Sequence, residues 1–235
     1  MNTLSEMRTA LMSDLNVSSN SSLYPTATLT LALNRAYRKV GGMFKWSALE
    51  DALTTSTAVS QEYYEYPDNW KQNSVWRVLI DDNLYGETPD GSPMIFADYL
   101  IWKEENENST DKKWANQWKR FFVYPTPTTA GSNNITLYGF KNVSILSLDA
   151  DTTIFSNSMI ECNEGIVLEA GSILKRKGED SPASRILNAE ARNIWTSAYD
   201  TIKTEQSKYE KIQPMFNVPD FYGSTNSKEQ TTGNF

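Results

Sequence analysis

Apolar residues recur at every third or fourth position over the first 46 residues and again after residue 158, and between those stretches they alternate instead. This double change of period constrains the fold more than any single motif, because a helical stripe laid out as a strand would expose much of its apolar surface. Thr3-Leu4-Ser5-Glu6 has the spacing of a capping box, with Thr3 as cap and Glu6 reaching back. Leu4, Met7, Leu11 and Leu15 follow at helical intervals, and the polar residues 16–22 should end that helix. A second helix is expected from Pro25, with Leu29, Leu33, Ala36, Tyr37, Val40 and Phe44 on one face. Arg35, Arg38 and Lys39 lie off that stripe, Gly41-Gly42 weakens the end, and Trp46 closes it.

Residues 54–59 and 62–66 are rich in Thr, Val and Tyr, and Ser60-Gln61 between them predicts a hairpin that Pro67 ends. Residues 75–80 read as a third strand and residues 83–93 as a loop. A short helix is expected over 94–105 through Ile95, Tyr99 and Trp102, followed by an exposed acidic stretch over 104–111. Residues 120–124 form a strand cut off by Pro125 and Pro127, and 135–140 is its expected partner. The block reads as a small antiparallel sheet or sandwich.

The helical period returns with Met159, Ile166, Val167, Ala170, Ile173 and Leu174, and Cys162 sits beside this stripe. Lys175, Arg176 and Lys177 favour a helix C-terminus, Gly178 can end the helix in a left-handed conformation, and Ser181-Pro182 restarts one. That last helix should run to Ile212 and bury Leu187, Ala191, Ile194, Ala198 and Ile202. The fold class expected is α+β: a helical bundle of two N-terminal and two C-terminal helices, with an inserted antiparallel β block and an extended C-terminal arm. By residue, 1–46 and 158–212 form the bundle, 47–157 the insert and 213–235 the arm. No internal repeat is visible.

The chain contains no histidine and one cysteine in 235 residues. A Ser-His-Asp triad, an imidazole metal ligand, an internal disulfide and a multi-cysteine zinc site are therefore excluded. Carboxylate chemistry survives, and Asp81-Asp82 and Glu104-Glu105 are its candidates, which opens a carbohydrate-binding or glycoside-active alternative supported by the Trp- and Tyr-rich β block. Adjacent strand residues point to opposite faces, so Asp81 and Asp82 fit a turn better than an active site or a magnesium site. Glu104-Glu105 fits a solvated face. Cys162 lies between Glu161 and Glu164, which raise a thiol pKa rather than activate it. No nucleotide motif is present, and no cofactor, metal or catalytic residue is assigned. The expectation is a protein that is not an enzyme.

The composition suits contact surfaces: the hydrophobic class is only 39%, while 24 Ser, 22 Thr and 20 Asn stand beside 7 Trp, 12 Tyr and 9 Phe. Tyr63, Tyr64, Tyr66, Trp70, Trp76, Trp114 and Trp118 exceed what a block of this size ordinarily buries, so some should face a partner. Met215, Phe216, Val218, Phe221 and Tyr222 mark the arm as a docking segment. Residues 1–46 carry five basic and two acidic groups, net +3, whereas residues 47–118 carry five basic and fourteen acidic, net −9. A DNA-binding adaptor using Arg35, Arg38 and Lys39 is disfavoured, because no segment concentrates the cations that phosphate neutralisation needs. No apolar run approaches 18 residues and no leader pattern opens the sequence, so a soluble protein made in the cytosol is expected, without membrane contact.

The run Asn34-Arg35-Ala36-Tyr37-Arg38 on a helix leading to Trp46, then residues 54–67 ending in Tyr63-Tyr64-Glu65-Tyr66-Pro67, resembles the head-to-tail connector (portal adaptor) proteins of tailed bacteriophages. The later Phe122-Val123-Tyr124-Pro125-Thr126-Pro127 and Ile135-Thr136-Leu137-Tyr138 are similar to that family's strand, Pro-x-Pro, strand element. The resemblance implies a structural virion protein of the neck or tail, assembled in the host cytoplasm as a homo-oligomeric ring, usually a dodecamer. Its implied partners are other copies of itself, the portal protein, tail or nozzle proteins, and genome DNA passing without sequence-specific contact.

Overall fold

Helices and strands alternate in the order α1 (Leu4–Asp14), α2 (Thr26–Met43), β1 (Glu50–Thr57), β2 (Tyr63–Glu65), β3 (Arg77–Ile80), β4 (Asn83–Tyr85), α3 (Phe96–Glu105), β5 (Lys113–Gln117), β6 (Arg120–Tyr124), β7 (Gly131–Phe140), α4 (Ile160–Lys177) and α5 (Ser181–Glu210). The computed structural model describes residues 1–17, 23–89, 91–178 and 180–210, with side chains to residue 204. The expected arm, and with it Met215, Phe216, Val218, Phe221 and Tyr222, lies outside the described residues.

Thr3 caps α1 as its spacing predicts, its hydroxyl accepting from Glu6 N at 3.3 Å. The Glu6 carboxylate reaches one residue further than a capping box requires and accepts from Asn2 N at 2.7 Å. Leu4, Met7 and Leu11 then bury completely against α4, the central helix, where even Asn163, Glu169 and Ser172 are buried. Trp46 folds back over the end of α2, donating Nε1–H to Val40 O at 2.8 Å, and meets Phe155 and Tyr199 edge-on. On α5, Leu187, Ala191, Ile194, Ala198 and Ile202 face the core, but the largest contribution is Trp195, fully buried over Gly165.

Three polar contacts set the α4–α5 register: Ser172 to Ser184 O at 2.8 Å, Asn188 to Glu169 at 2.6 Å, and Trp195 Nε1 to Cys162 O at 3.2 Å. In that register α5 continues roughly 13 residues, ~20 Å, beyond the start of α4. Two local expectations are corrected at the connection. Gly178 ends α4 with φ −85° rather than in the left-handed region, because its N–H finds Leu174 O at 3.1 Å without reversing the chain. Asp180 rather than Ser181 caps α5, accepting from Ala183 N at 3.4 Å, so Ser181 and Pro182 already lie inside the first turn.

The β block is two antiparallel sheets, β1-β7-β3-β4 and β2-β6-β5, with Trp70, Val78, Trp114, Phe121, Ile135 and Leu137 buried between them. Its strand pairing departs from the sequence expectation twice. Ser60-Gln61 does form a turn, with Gln61 N on Ala58 O at 3.3 Å, yet the flanking strands enter different sheets. β1 pairs with β7, and β2 pairs with β6, where Tyr64 stacks on Phe121 at 5.4 Å and Tyr63 lies 5.7 Å from Phe122. Nor are β6 and β7 partners, since Pro125 and Pro127 withhold ladder donors where a hairpin would start. β5, unassigned in the sequence reading, takes that place beside β6.

Residues 83–93 likewise begin with a strand, because Asp81 and Asp82 adopt φ 49° and 59° and close a two-residue hairpin between β3 and β4. Helix α3 covers the outer face of the second sheet, with Tyr99, Phe96 and Trp102 against Ala115, Phe122 and Tyr124. Lys71 joins the block to the bundle, donating to Gly41 O at 2.5 Å. Five helices and two small antiparallel sheets among the described residues make this the expected α+β fold.

Candidate interaction surfaces

The polar residues that the sequence offers for chemistry are dispersed. Asp81 and Asp82 are the hairpin turn itself, and Asp81 accepts from Asn134 Nδ2 at 3.0 Å. Glu104 and Glu105 stand exposed in the last turn of α3. Among the described residues no three His, Cys, Asp or Glu side chains converge into a metal-holding group. Cys162 is fully buried in the bundle core, and desolvation, with Glu161 adding its charge, pushes the thiol up to about 12. Lys175, Arg176 and Lys177 occupy the last turn of α4, where Lys175 lies 3.8 Å from Asp180.

The aromatic residues of the β block divide into two groups. Tyr64, Tyr66, Trp70 and Trp114 belong to the core. Tyr66 stacks on Phe121 and donates its hydroxyl to Asn116, while Trp114 donates to Gly91 O at 2.8 Å. Burial raises the Tyr66 phenol well above its ordinary value, so it is a donor and not a titrating group. Tyr63, Trp76 and Trp118 form the other group. Tyr63 carries Arg120 over its ring at 4.9 Å, and Trp76 leans on Tyr138 at 5.7 Å.

Trp118 is the outlier. It is 71% exposed and is the first residue of the two-residue turn joining β5 to β6, with φ 59°. Such a turn position favours glycine, and a bulky side chain held there costs about 1 kcal/mol. A strained, exposed tryptophan at a hairpin tip is poor economy for a free monomer and suits a contact residue. The sequence shows this tryptophan but not its exposure, because the turn exists only through the β5–β6 pairing.

The helices present apolar residues outward as well. Leu31 on α2, and Leu100 and Ile101 on α3, are 49%, 42% and 57% exposed. A shallow apolar cleft lies between the end of α1, α4 and the start of α5, lined by Leu15, Val167, Leu168, Ala183, Ile186 and Leu187. No described helix is long and apolar enough to cross a membrane.

No curated protein matches the chain. A family model described as SU10 adaptor protein matches residues 2–215, taking in both helical pairs and the β block between them. A match of that extent shows that the chain belongs to the SU10 adaptor protein family, a phage head-to-tail adaptor family.

Proposed function

We propose that the chain is one subunit of a connector ring that joins the portal to the tail and lets the genome pass through its channel. The observation that carries this reading is the adaptor-family match across residues 2–215. Exposed apolar residues spread over several elements of the structure support it, since a subunit with many neighbours needs several contact surfaces. The charge supports the channel role: a chain of net −7 without a dense cationic face would let DNA slide past rather than hold it.

In this reading the bundle of 1–46 and 158–212 is the frame of the ring and the insert 47–157 supplies contact surface. The arm 213–235 reaches the portal through Met215, Phe216, Val218, Phe221 and Tyr222, and the opposite side receives tail or nozzle proteins. The ring has twelve copies, forms in the host cytoplasm and ends in the virion neck. The test is native mass spectrometry and negative-stain imaging of the full chain, alone and mixed with the portal protein of the same phage. Closed rings in either sample are expected. A chain that stays monomeric in both and ignores the portal overturns the reading.

A further inference from the structure

Two exposed helix faces of this chain carry charge of opposite sign that has no partner among the described residues. On α2, Leu31, Arg35 and Arg38 follow one another at i, i+4 and i+7 on the side turned from the core. Neither arginine has an ion pair, hydrogen bond or ring contact among the described residues. Helix α2 contains no Asp or Glu, so nothing on it offsets them, and Lys39 is turned inward to Glu169 at 2.6 Å.

On α3 the pattern repeats with the sign reversed: Leu100 and Ile101 are exposed, and Glu104 and Glu105 follow one turn later, equally without a partner among the described residues. Carboxylates are badly placed in a last helical turn, where the free carbonyl groups already concentrate negative charge. The one cation of that turn, Lys103, is committed to Glu62 at 2.6 Å.

Resting on the ring proposed for this chain, we infer that the outer face of α2 on one copy seats on the outer face of α3 on the next. The spacings agree: Leu31 precedes Arg35 by four residues, and Leu100 precedes Glu104 by four. Laid side by side in the same direction, the helices bring Leu31 onto Leu100 and Ile101 while Arg35 and Arg38 meet Glu104 and Glu105. The wider charge distribution has the same sense, net +3 over residues 1–46 against net −9 over 47–118. Among the exposed cations on other helices, Arg176 and Lys177 of α4 sit beside the free carbonyl groups of its last turn, which offset them, and Arg185 and Arg192 of α5 share their helix with the exposed Glu190 and read as a mixed, solvated surface. Because the two patches differ, the contact is head-to-tail and repeats around a closed ring.

Charge exchange tests the pairing in whichever condition, alone or with the portal, the wild-type chain forms rings. Arg35→Glu with Arg38→Glu, and separately Glu104→Lys with Glu105→Lys, should each raise the concentration for half-assembly at least about tenfold, because like charges then face each other. A one-to-one mixture of the two variants should restore assembly, with native masses showing strictly alternating copies. Arg185→Glu with Arg192→Glu should assemble as the wild type does. All substituted residues are solvent-facing, and unchanged thermal unfolding confirms that each variant folds. Variants that form rings at the wild-type concentration, or a mixture that fails to rescue them, overturn the α2–α3 pairing and leave the ring intact. A wild-type chain that yields no ring in either condition overturns the parent reading instead.

Discussion

Glycine-to-alanine substitution at two helical positions should move stability in opposite directions. Gly42 lies in the last turn of α2, and a Cβ built there meets nothing within 4 Å. Alanine at that site gains helix propensity and restricts the unfolded chain, worth about 0.5 kcal/mol so near a helix end. Gly165 lies in the second turn of α4 under the Trp195 indole, and a Cβ there would come within 2.9 Å of Cδ1 and 3.0 Å of Cε2 and closer still to Nε1. The indole is fully buried and tied to Cys162 O at 3.2 Å, so it has no empty space to enter. Overpacking of this kind costs about 1–3 kcal/mol, which exceeds the propensity gain of about 1 kcal/mol. Gly42→Ala should therefore raise Tm by about 1–2 °C, and Gly165→Ala, at a net cost of up to about 2 kcal/mol, should lower it by up to about 8 °C for a chain of this length. Thermal unfolding followed by circular dichroism measures both. Stabilisation by Gly165→Ala would refute the packing of α5 on α4 as described.

Glu169→Ala should cost about 2–4 kcal/mol in chemical denaturation, because it leaves Lys39 without its 2.6 Å partner at a position where the carboxylate is only 5% exposed. Glu169→Gln should cost less, since the amide keeps a hydrogen-bond partner for Asn188, and equal losses would mean that the lost charge accounts for the whole effect and that hydrogen bond for none of it. Cys162 should ignore a thiol reagent at pH 8 in the native protein and react at once on unfolding, because its thiol titrates near 12 rather than near 9. The same shift makes the folded state hold a proton that the unfolded state releases, so stability should fall as pH rises from about 9 toward 12; a flat profile there would contradict the burial. Trp118→Gly should leave Tm within about 2 °C, since relief of about 1 kcal/mol of turn strain offsets the extra freedom of the unfolded chain. Its effect should appear in ring yield, and a large fall in Tm would place Trp118 in the fold rather than at a contact.

Much of the site was visible in the sequence as residue types without positions. Arg35, Arg38, Glu104 and Glu105 could be placed off the apolar stripes from spacing alone. That they lack partners among the described residues, and that Lys39 and Lys103 are already engaged, required the neighbouring elements. Trp195 follows Ala191 by four residues on the same face, so its spacing alone marks it for the buried stripe of α5.

The α+β class, the helices on either side of the β block with their buried faces, the Thr3 cap, and the exclusion of histidine and internal disulfide chemistry are all legible in the residues alone. Helices are legible in this way because their hydrogen bonds close within four residues, so period and caps specify them locally. That β1 leaves β2 for β7, that β5 rather than β7 lies beside β6, and which tryptophans are core emerge from the folded chain alone. Strand partners are chosen by long-range packing, here the stacking of Tyr64 on Phe121 and the filling of the space between two sheets, and sequence spacing carries little record of that choice. The same holds for Gly42 and Gly165, identical residues in helices of similar length, whose difference is the presence of Trp195.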